Sequence, residues 1–437
     1  MKLKIFIILN ILSIHGLIQG QNNLQLNLEQ CIEIAIKNNY SHKQAILLKE
    51  KAYELVDEAY GSALYPKIDG TIQYTRALEL PVVVIENFGS IRMGSENTMN
   101  LSIRAEQPIF TGAMFLAIRV AETYAEMSDK AANFSEAKLI SNVKTAYYSY
   151  LFAKDLVELS EMQLNRAEEN RRNAKSMYDA GLASEYDYIR ADVQYQNFLP
   201  ALTESKNTLK LAKNNLTILL GYDLRIEIEI SDSLTYKEIP LPDFETGLTE
   251  VMGKNTLLKQ MELDVKLKDL AASYEYTKHF PELVAFANWQ TQSTENDPRD
   301  FFDWRYNTSS SIGLTLRVPI FKGFTINSKV EQAEIDLKRS EANFNQTKLE
   351  MQNNYESIVL QIQKIEEQIS AFIAAMEQTQ KGYNIASKRF VTGLGTQLEV
   401  TTALLEYSSA RINYLKAVLD YHTYHAQLQF LLDNRSY

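Results

Sequence analysis

The 437-residue chain has room for two or three ordinary domains or one large elongated one, and its 45% hydrophobic and 23% charged residues are those of a folded protein. A formal charge of −10 supplies no basic surface for phosphates, which excludes nucleic acid as a partner. A single cysteine excludes an intrachain disulfide, and the scarcity of Gly (16) and Pro (9) favours long helices.

Residues 1–20 read as a secretory signal peptide. Lys2 and Lys4 form its positive end, Ile5 to Leu12 an apolar run broken only by Asn10, and Gly20 a cleavage position. Removal takes two lysines and leaves 43 basic against 55 acidic residues, a net charge of −12. The apolar run is too short to be retained as a bilayer span, and no later stretch is long and uncharged enough for one. Cys31 follows Leu28-Glu29-Gln30, well past that run, so it reads as a small buried hydrophobe and not as a lipid attachment site.

Residues 28–64 carry a helical pattern, which Tyr65-Pro66 ends because proline disfavours helix in the residue before it. The period then switches from 3.6 to 2. Ile68, Gly70, Ile72 and Tyr74 alternate with Asp69, Thr71, Gln73 and Thr75, predicting a strand over 67–80. After a loop with Pro81, Gly89 and Gly94, Met99, Leu101, Ile103 and Ala105 alternate with polar neighbours in a second strand over 97–108. A long helix follows over 112–180, then a return helix over 184–220 and an equatorial segment, 221–240, with strand-like Ile226, Ile228 and Ile230.

Residues 21–240 form one unit, and 241–432 repeat it. The second copy has a helix over 241–278, strands over 282–293 and 308–319, a long helix over 323–391 and a return helix over 396–432; 433–437 are a short tail. Tyr65-Pro66 recurs as Phe280-Pro281, and Gln107 to Gly112 recurs as Val318 to Gly323. Tyr178-Asp179-Ala180-Gly181-Leu182 recurs as Phe390-Val391-Thr392-Gly393-Leu394. The near-constant offset marks a tandem duplication.

The long helices carry seams stepping by four and three, beginning Leu139, Val143, Ala146, Tyr150 in one copy and Ile358, Ile362, Ile365, Ile369 in the other. The return helices continue the theme from Ala191 and Tyr195 and from Ala403 and Tyr407. Such seams specify coiled-coil packing, and their mixture of small and large residues points to layers of several helices. At 1.5 Å per residue the long helices span roughly 100 Å and the others roughly 55 Å. Two short helices placed end to end therefore match one long one, with 221–240 beside the joint. Pro200 lies inside the first return helix, where the second has Ile412, so a kink is expected in one copy only.

The strands, about 10–12 residues long, suit a tilted bilayer crossing. Tyr65, Phe110, Phe280 and Phe321 bracket them as membrane-interface aromatics. A half-buried soluble hairpin alternates in the same way, so alternation by itself leaves both readings open. If the strands lie in lipid, four are too few for a barrel, which needs about eight, and open edges are not tolerated there. The chain must then oligomerise, and two copies or three would serve.

An export signal followed by a duplicated helix–strand–strand–long helix–return helix, with a Gly-containing helical turn in each copy, resembles the TolC-like outer-membrane efflux protein family over about residues 24–432. The resemblance implies a mainly α fold with membrane β. In it, a homotrimer forms a 12-stranded barrel in the outer membrane that continues into an α-helical periplasmic tunnel. It also implies an exit duct without cofactor, surrounded by outer-membrane lipid and serving tripartite efflux or type I secretion. Such a duct is passive, energised by an inner-membrane pump of RND or ABC type through a periplasmic adaptor.

Gly181 is placed to end its helix in a left-handed conformation, with Ser184 as the next cap and Asp187 at the capping-box position; Gly393, Thr396 and Glu399 take these roles in the second copy. A helical hairpin without a partner accounts for those residues but does not require exposed Leu182 and Leu394. The resemblance assigns adaptor docking to Ala180, Gly181, Leu182, Thr392, Gly393 and Leu394, flanked by the caps. The family's basic residue four positions before the tip glycine is matched by Arg389, whereas the first copy has Met177. Its acidic pair at the tunnel mouth falls on Glu399 and Thr402, of which only Glu399 is acidic. Three Glu399 carboxylates would form a cation-favouring ring; a plain helix cap explains the same residue.

Nothing supports catalysis. His422 and His425 are at helical spacing but lack an acidic or Cys partner for a metal, and no phosphate loop or nucleophile elbow is present. Two other readings compete with the duct. A trimeric surface adhesin also has four strands per chain, but contiguous and C-terminal ones, whereas here two internal pairs are separated by a long helix and its return. A structural periplasmic coiled-coil scaffold would carry ordinary soluble hairpins.

Overall fold

The computed structural model describes residues 24–85, 89–296 and 303–433. The expected signal peptide and residues 434–437 lie outside them. The first half runs β1 (Leu24–Gln25), α1 (Leu28–Asn38), α2 (Tyr40–Leu64), β2 (Lys67–Arg76), β3 (Val82–Ile85), β4 (Gly89–Arg92), β5 (Asn97–Phe110), α3 (Met114–Asp179), α4 (Glu185–Leu219) and β6 (Ile228–Glu229). The second runs α5 (Phe244–Lys254), α6 (Thr256–Thr277), β7 (Glu282–Glu295), β8 (Asn307–Arg317), α7 (Thr325–Val391) and α8 (Gln397–Leu431).

Several boundaries differ from the sequence reading. The helix expected over 28–64 is two helices, broken at Asn39; the one expected over 241–278 begins at Phe244, ends at Thr277 and is broken at Asn255. Each Asn caps a new helix and also reaches the end of a return helix. Asn39 Oδ1 accepts the His42 N–H at 3.0 Å while Nδ2 donates to the Leu219 carbonyl at 3.0 Å. Asn255 Oδ1 accepts from Leu257 and Leu258, and Nδ2 donates to the Leu431 carbonyl at 2.9 Å. A side chain that satisfies orphan N–H groups of the next helix competes with continuation of the previous one.

The first strand stops at Arg76 instead of 80, and the expected loop holds the small β3–β4 hairpin, built from the β-branched run Val82–Ile85 paired with Gly89–Arg92, where Gly89 has φ 86°. β5 continues through Pro108 to Phe110, because a register slip there accommodates the missing donor. β7 extends to Glu295, and β8 ends at Arg317, just short of Pro319. The long helices start at Met114 and Thr325 instead of 112 and 323; in the second case Gly323 and Phe324 are both left-handed (φ 59° and 60°). α4 runs unbroken through Pro200.

One antiparallel sheet orders the strands β2–β5–β7–β8, leaving β2 and β8 as its edges. β1 and β6 form a short parallel pair beside the joint. The main core lies there: Cys31, Ile32, Val143, Tyr147, Leu216, Ile230, Tyr355, Ile362, Val418 and Tyr421 are all buried in one cluster. Burial pushes the Cys31 thiol up to about 12, with Asp232 adding to the effect, so the thiol is unreactive. A second cluster near the far end joins Ala174 and Ala191 to Tyr383, Phe390, Val400 and Leu404, so the two helical hairpins pack side by side. α3 packs against both α4 and α8, and α7 against α8. No helix among the described residues is long and apolar enough to cross a membrane.

Candidate functional site: a two-faced sheet and two helical tips

The strand registers bring the alternating residues onto common faces. Ile68, Ala105, Ala287 and Ile312 form one row across all four strands, and the next row is Gly70, Ile103, Trp289 and Ser310. Leu283, Ala285, Leu314 and Leu316 continue that face. The opposite face carries Asp69, Arg104, Asn288 and Ser311 in one row and Thr71, Ser102, Gln290 and Ser309 in the next. Arg104 there pairs with Glu106. Both faces are largely open in the single chain, so a monolayer is apolar on one side and hydrated on the other. Such a sheet suits a boundary between lipid and water.

Tyr65, Phe110, Phe280 and Phe321 all lie exposed at one end of this sheet, where strands meet helices. Phe280 meets Tyr276 edge-on at 5.9 Å, and Phe321 meets Phe324 edge-on at 5.4 Å. Phe324 is the aromatic that sequence reasoning missed. It is exposed and holds φ 60°, a conformation costing a non-glycine residue about 1–2 kcal/mol. Its position shortly after Phe321 was the available signal.

At the opposite end the long helices reverse. In the first tip the Leu182 N–H donates to the Met177 carbonyl (2.8 Å) and the Gly181 N–H to the Tyr178 carbonyl (2.9 Å). In the second, Leu394 donates to Arg389 (2.8 Å) and Gly393 to Phe390 (3.0 Å). Both are Schellman closures, which need a left-handed residue; Gly181 has φ 71° and Gly393 φ 74°. Ala180 and Thr392 are the matching C-caps. Ser184 and Asp187 form a complete capping box, with the Asp187 N–H to Ser184 Oγ at 3.2 Å and the Ser184 N–H to Asp187 Oδ2 at 3.2 Å. Thr396 Oγ1 accepts the Glu399 N–H at 3.3 Å. Arg389 closes its own turn by donating from its guanidinium to the Leu394 carbonyl at 3.0 Å. The closures leave Leu182 76% and Leu394 73% exposed. Glu399 and Thr402 are both exposed in the first turns of α8.

His422 and His425 are buried at the joint. His422 stacks on Tyr148 at 4.1 Å, and its Nε2 lies 3.0 Å from the Thr235 carbonyl. Burial lowers both imidazoles; His425 falls to about 4, with His422 as a secondary cause. No group of three or more potential metal ligands occurs among the described residues.

The sequence model of the family described as "Outer membrane efflux protein" matches residues 31–222 and 248–434. Outer membrane protein TolC of Escherichia coli (strain K12) is 23% identical over 405 residues, covering 89% of this chain and 80% of that protein. The alkaline protease secretion protein AprF of Pseudomonas aeruginosa is 20% identical over 331 residues, covering 75% and 68%. Among solved structures, the Campylobacter jejuni CmeC outer membrane channel superposes with a TM-score of 0.79 at 17% identity, covering 93% of this chain and 85% of that one. The outer-membrane channel OprN gives 0.76 at 15% identity, covering 93% and 90%. With the family matched along both copies, and with long helices joined to a two-faced sheet, the chain belongs to the outer membrane efflux protein family: it is an efflux channel of the outer membrane and not an enzyme.

Proposed function

We propose that the protein is the exit duct of a tripartite efflux or type I secretion system. In this reading a homotrimer closes a twelve-stranded barrel in the outer membrane and continues it as a helical tunnel through the periplasm. The observation that carries it is the sheet: four strands, apolar on one face and polar on the other, with both edges unpaired. Four strands are too few to close, and lipid tolerates no open edge. Three copies are favoured over two by the family likeness. Substrates pass down the hydrated lumen, and the energy comes from an inner-membrane pump of RND or ABC type. Likeness to a protease secretion protein supports secretion as an alternative to efflux of small molecules.

The tips dock the periplasmic adaptor through Ala180, Gly181 and Leu182 in one copy and Thr392, Gly393 and Leu394 in the other. Support comes from the two exposed leucines, held out by turns that the backbone fixes. Three Glu399 carboxylates, with Thr402 one turn along, ring the tunnel mouth and favour cations. Recording from purified protein in planar bilayers tests the duct; absence of conductance in any opened state overturns it. Recovery in the soluble periplasmic fraction would favour a scaffold instead.

A further inference from the structure

Six charged residues line one cavity of about 450 Å³ where the second strand pair meets its helices. Glu275 and Lys278 come from the end of α6, and Glu282 and Arg317 from the adjoining ends of β7 and β8. Lys322 and Lys329 come from the turn into α7 and from its beginning. Two of the cations are paired: Lys278 bonds Glu275 at 2.7 Å, and Arg317 lies 3.4 Å from Glu282. Lys322 and Lys329 are exposed and make no ion pair among the described residues. The cavity therefore keeps a surplus of two positive charges.

The first copy does not repeat this. The duplication lays Lys278 on Ala63, Arg317 on Glu106, Lys322 on Thr111 and Lys329 on Ile118. Ala63 and Ile118 pack there with Met114 in a small apolar cluster. A general need for cations where strand meets helix would act on both copies alike. A local excess of positive charge in one copy of an acidic chain points instead to an anion. The cavity belongs to the polar face of the sheet. Strand side chains alternate in direction, so Glu282 shares a face with Asn288 and Gln290, and Arg317 with Ser309 and Ser311.

From this we infer that the cavity is an anion site in the wall of the duct, holding the carboxylate or phosphate group of a passing solute between Arg317, Lys322 and Lys329. The inference rests on the duct reading above, in which the polar face lines the lumen, and adds a substrate class to it. Arg317 offers a planar fork to two oxygens, and the two lysines offer ammonium donors. Exposed ion pairs hold weakly, so Arg317 can exchange Glu282 for a better acceptor. Three subunits repeat the cavity around one lumen, whose low-dielectric walls focus the field. The Glu399 carboxylates stand at the other end of α7, roughly 100 Å away at 1.5 Å per residue. That is about ten Debye lengths, so the two charge signs act independently.

Single-channel recording of the purified full-length protein tests this, with inorganic pyrophosphate added on the barrel side in about 0.15 M KCl. Pyrophosphate is expected to lower the open-channel current. The half-blocking concentration is expected to rise about tenfold or more in the Lys322→Gln/Lys329→Gln double variant. Raising KCl to about 1 M should weaken the block in the unaltered protein, because the Debye length falls to about 3 Å. A block that salt leaves unchanged overturns the site. So does an equal rise in Lys67→Gln, which removes a cation of the same face outside the cavity. A normal current that pyrophosphate does not alter overturns the site alone, whereas absence of current in any opened state overturns the duct reading beneath it. A lipid headgroup is the other source of phosphate. Selective retention of phosphatidylglycerol over phosphatidylcholine, lost in the double variant and without block of the current, assigns the cavity to the membrane and overturns the lumenal site.

Discussion

Both tips reverse a long helix at a left-handed glycine, yet three positions flanking the turn are buried in the second copy and exposed in the first. Phe390 is 4% exposed and its counterpart Tyr178 39%. Gln397 is buried where Glu185 is solvated, and Thr401 where Ile189 is. The cause lies in helix order: α8 packs between two long helices, α3 and α7, while α4 packs mainly against α3. The turn is thus a backbone requirement met identically twice, and the side chains around it have diverged with their neighbours. The first tip is held by its Ser184–Asp187 box, the second by packing and by the Arg389 guanidinium. The equator shows the same divergence. The second copy buries His422 and His425 where the first, aligned on the tip glycines, carries Lys210 and Lys213, the latter paired with Glu227.

The largest effect is expected from Gly181→Pro. Proline cannot adopt φ 71° and lacks the N–H that bonds the Tyr178 carbonyl, a combined loss of about 3 kcal/mol or more at that turn. Adaptor copurification is expected to vanish while the trimer sediments unchanged. Leu394→Asp should do the same at the second tip without touching the backbone. Unchanged copurification in both variants would break the docking assignment, and loss in only one would show that the tips are not equivalent.

Next in size is the acid sensitivity that buried His425 contributes at the joint. The folded pKa of His425 is depressed, so the unfolded chain binds more protons between the usual histidine value near 6.5 and about 4. The stability this group contributes is therefore fully present above pH 6.5 and is lost as pH drops toward 4, by at most about 3 kcal/mol per subunit. Melting curves at pH 7.5 and 4.5 should differ, and His425→Gln should narrow the difference. An unchanged difference in the His425→Gln variant would break this assignment.

The smallest effects sharpen the tips themselves. Asp187→Ala should cost about 1 kcal/mol at the first tip, and Arg389→Ala about 1 kcal/mol at the second. Amide exchange should quicken at Leu182 in the first variant and at Leu394 in the second. If either variant loosens both tips, the two turns are mechanically coupled.

The alternating strands, the long helices and the tip caps were legible because each rests on a local signal: period 2, heptad steps, or Gly followed by a capping residue. The breaks at Asn39 and Asn255 were not. An Asn inside a helical pattern carries no sign of its Nδ2 partner, and that partner is distant in the chain, Leu219 for Asn39 and Leu431 for Asn255. The β3–β4 hairpin was hidden by Pro81, Gly89 and Gly94, which read as loop although a short run on each side was enough to pair. At the tips, the roles of Ser184, Asp187 and Thr396 as caps followed from residue type, but the bond from Arg389 to the Leu394 carbonyl did not. A basic residue before a glycine reads equally as a partner contact.

The open sheet edges have a consequence for the history of each molecule. The helices are built largely from contacts between neighbours in sequence and can form early, whereas the sheet has no stable resting state in one chain. Until it is paired, a strand ladder with an apolar face is a template for aggregation. On the trimeric reading proposed above, maturation of the β portion is tied to encounter with other copies and with lipid, and its rate should rise steeply with the concentration of the chain. On that reading the helical portion can fold before its membrane end is completed.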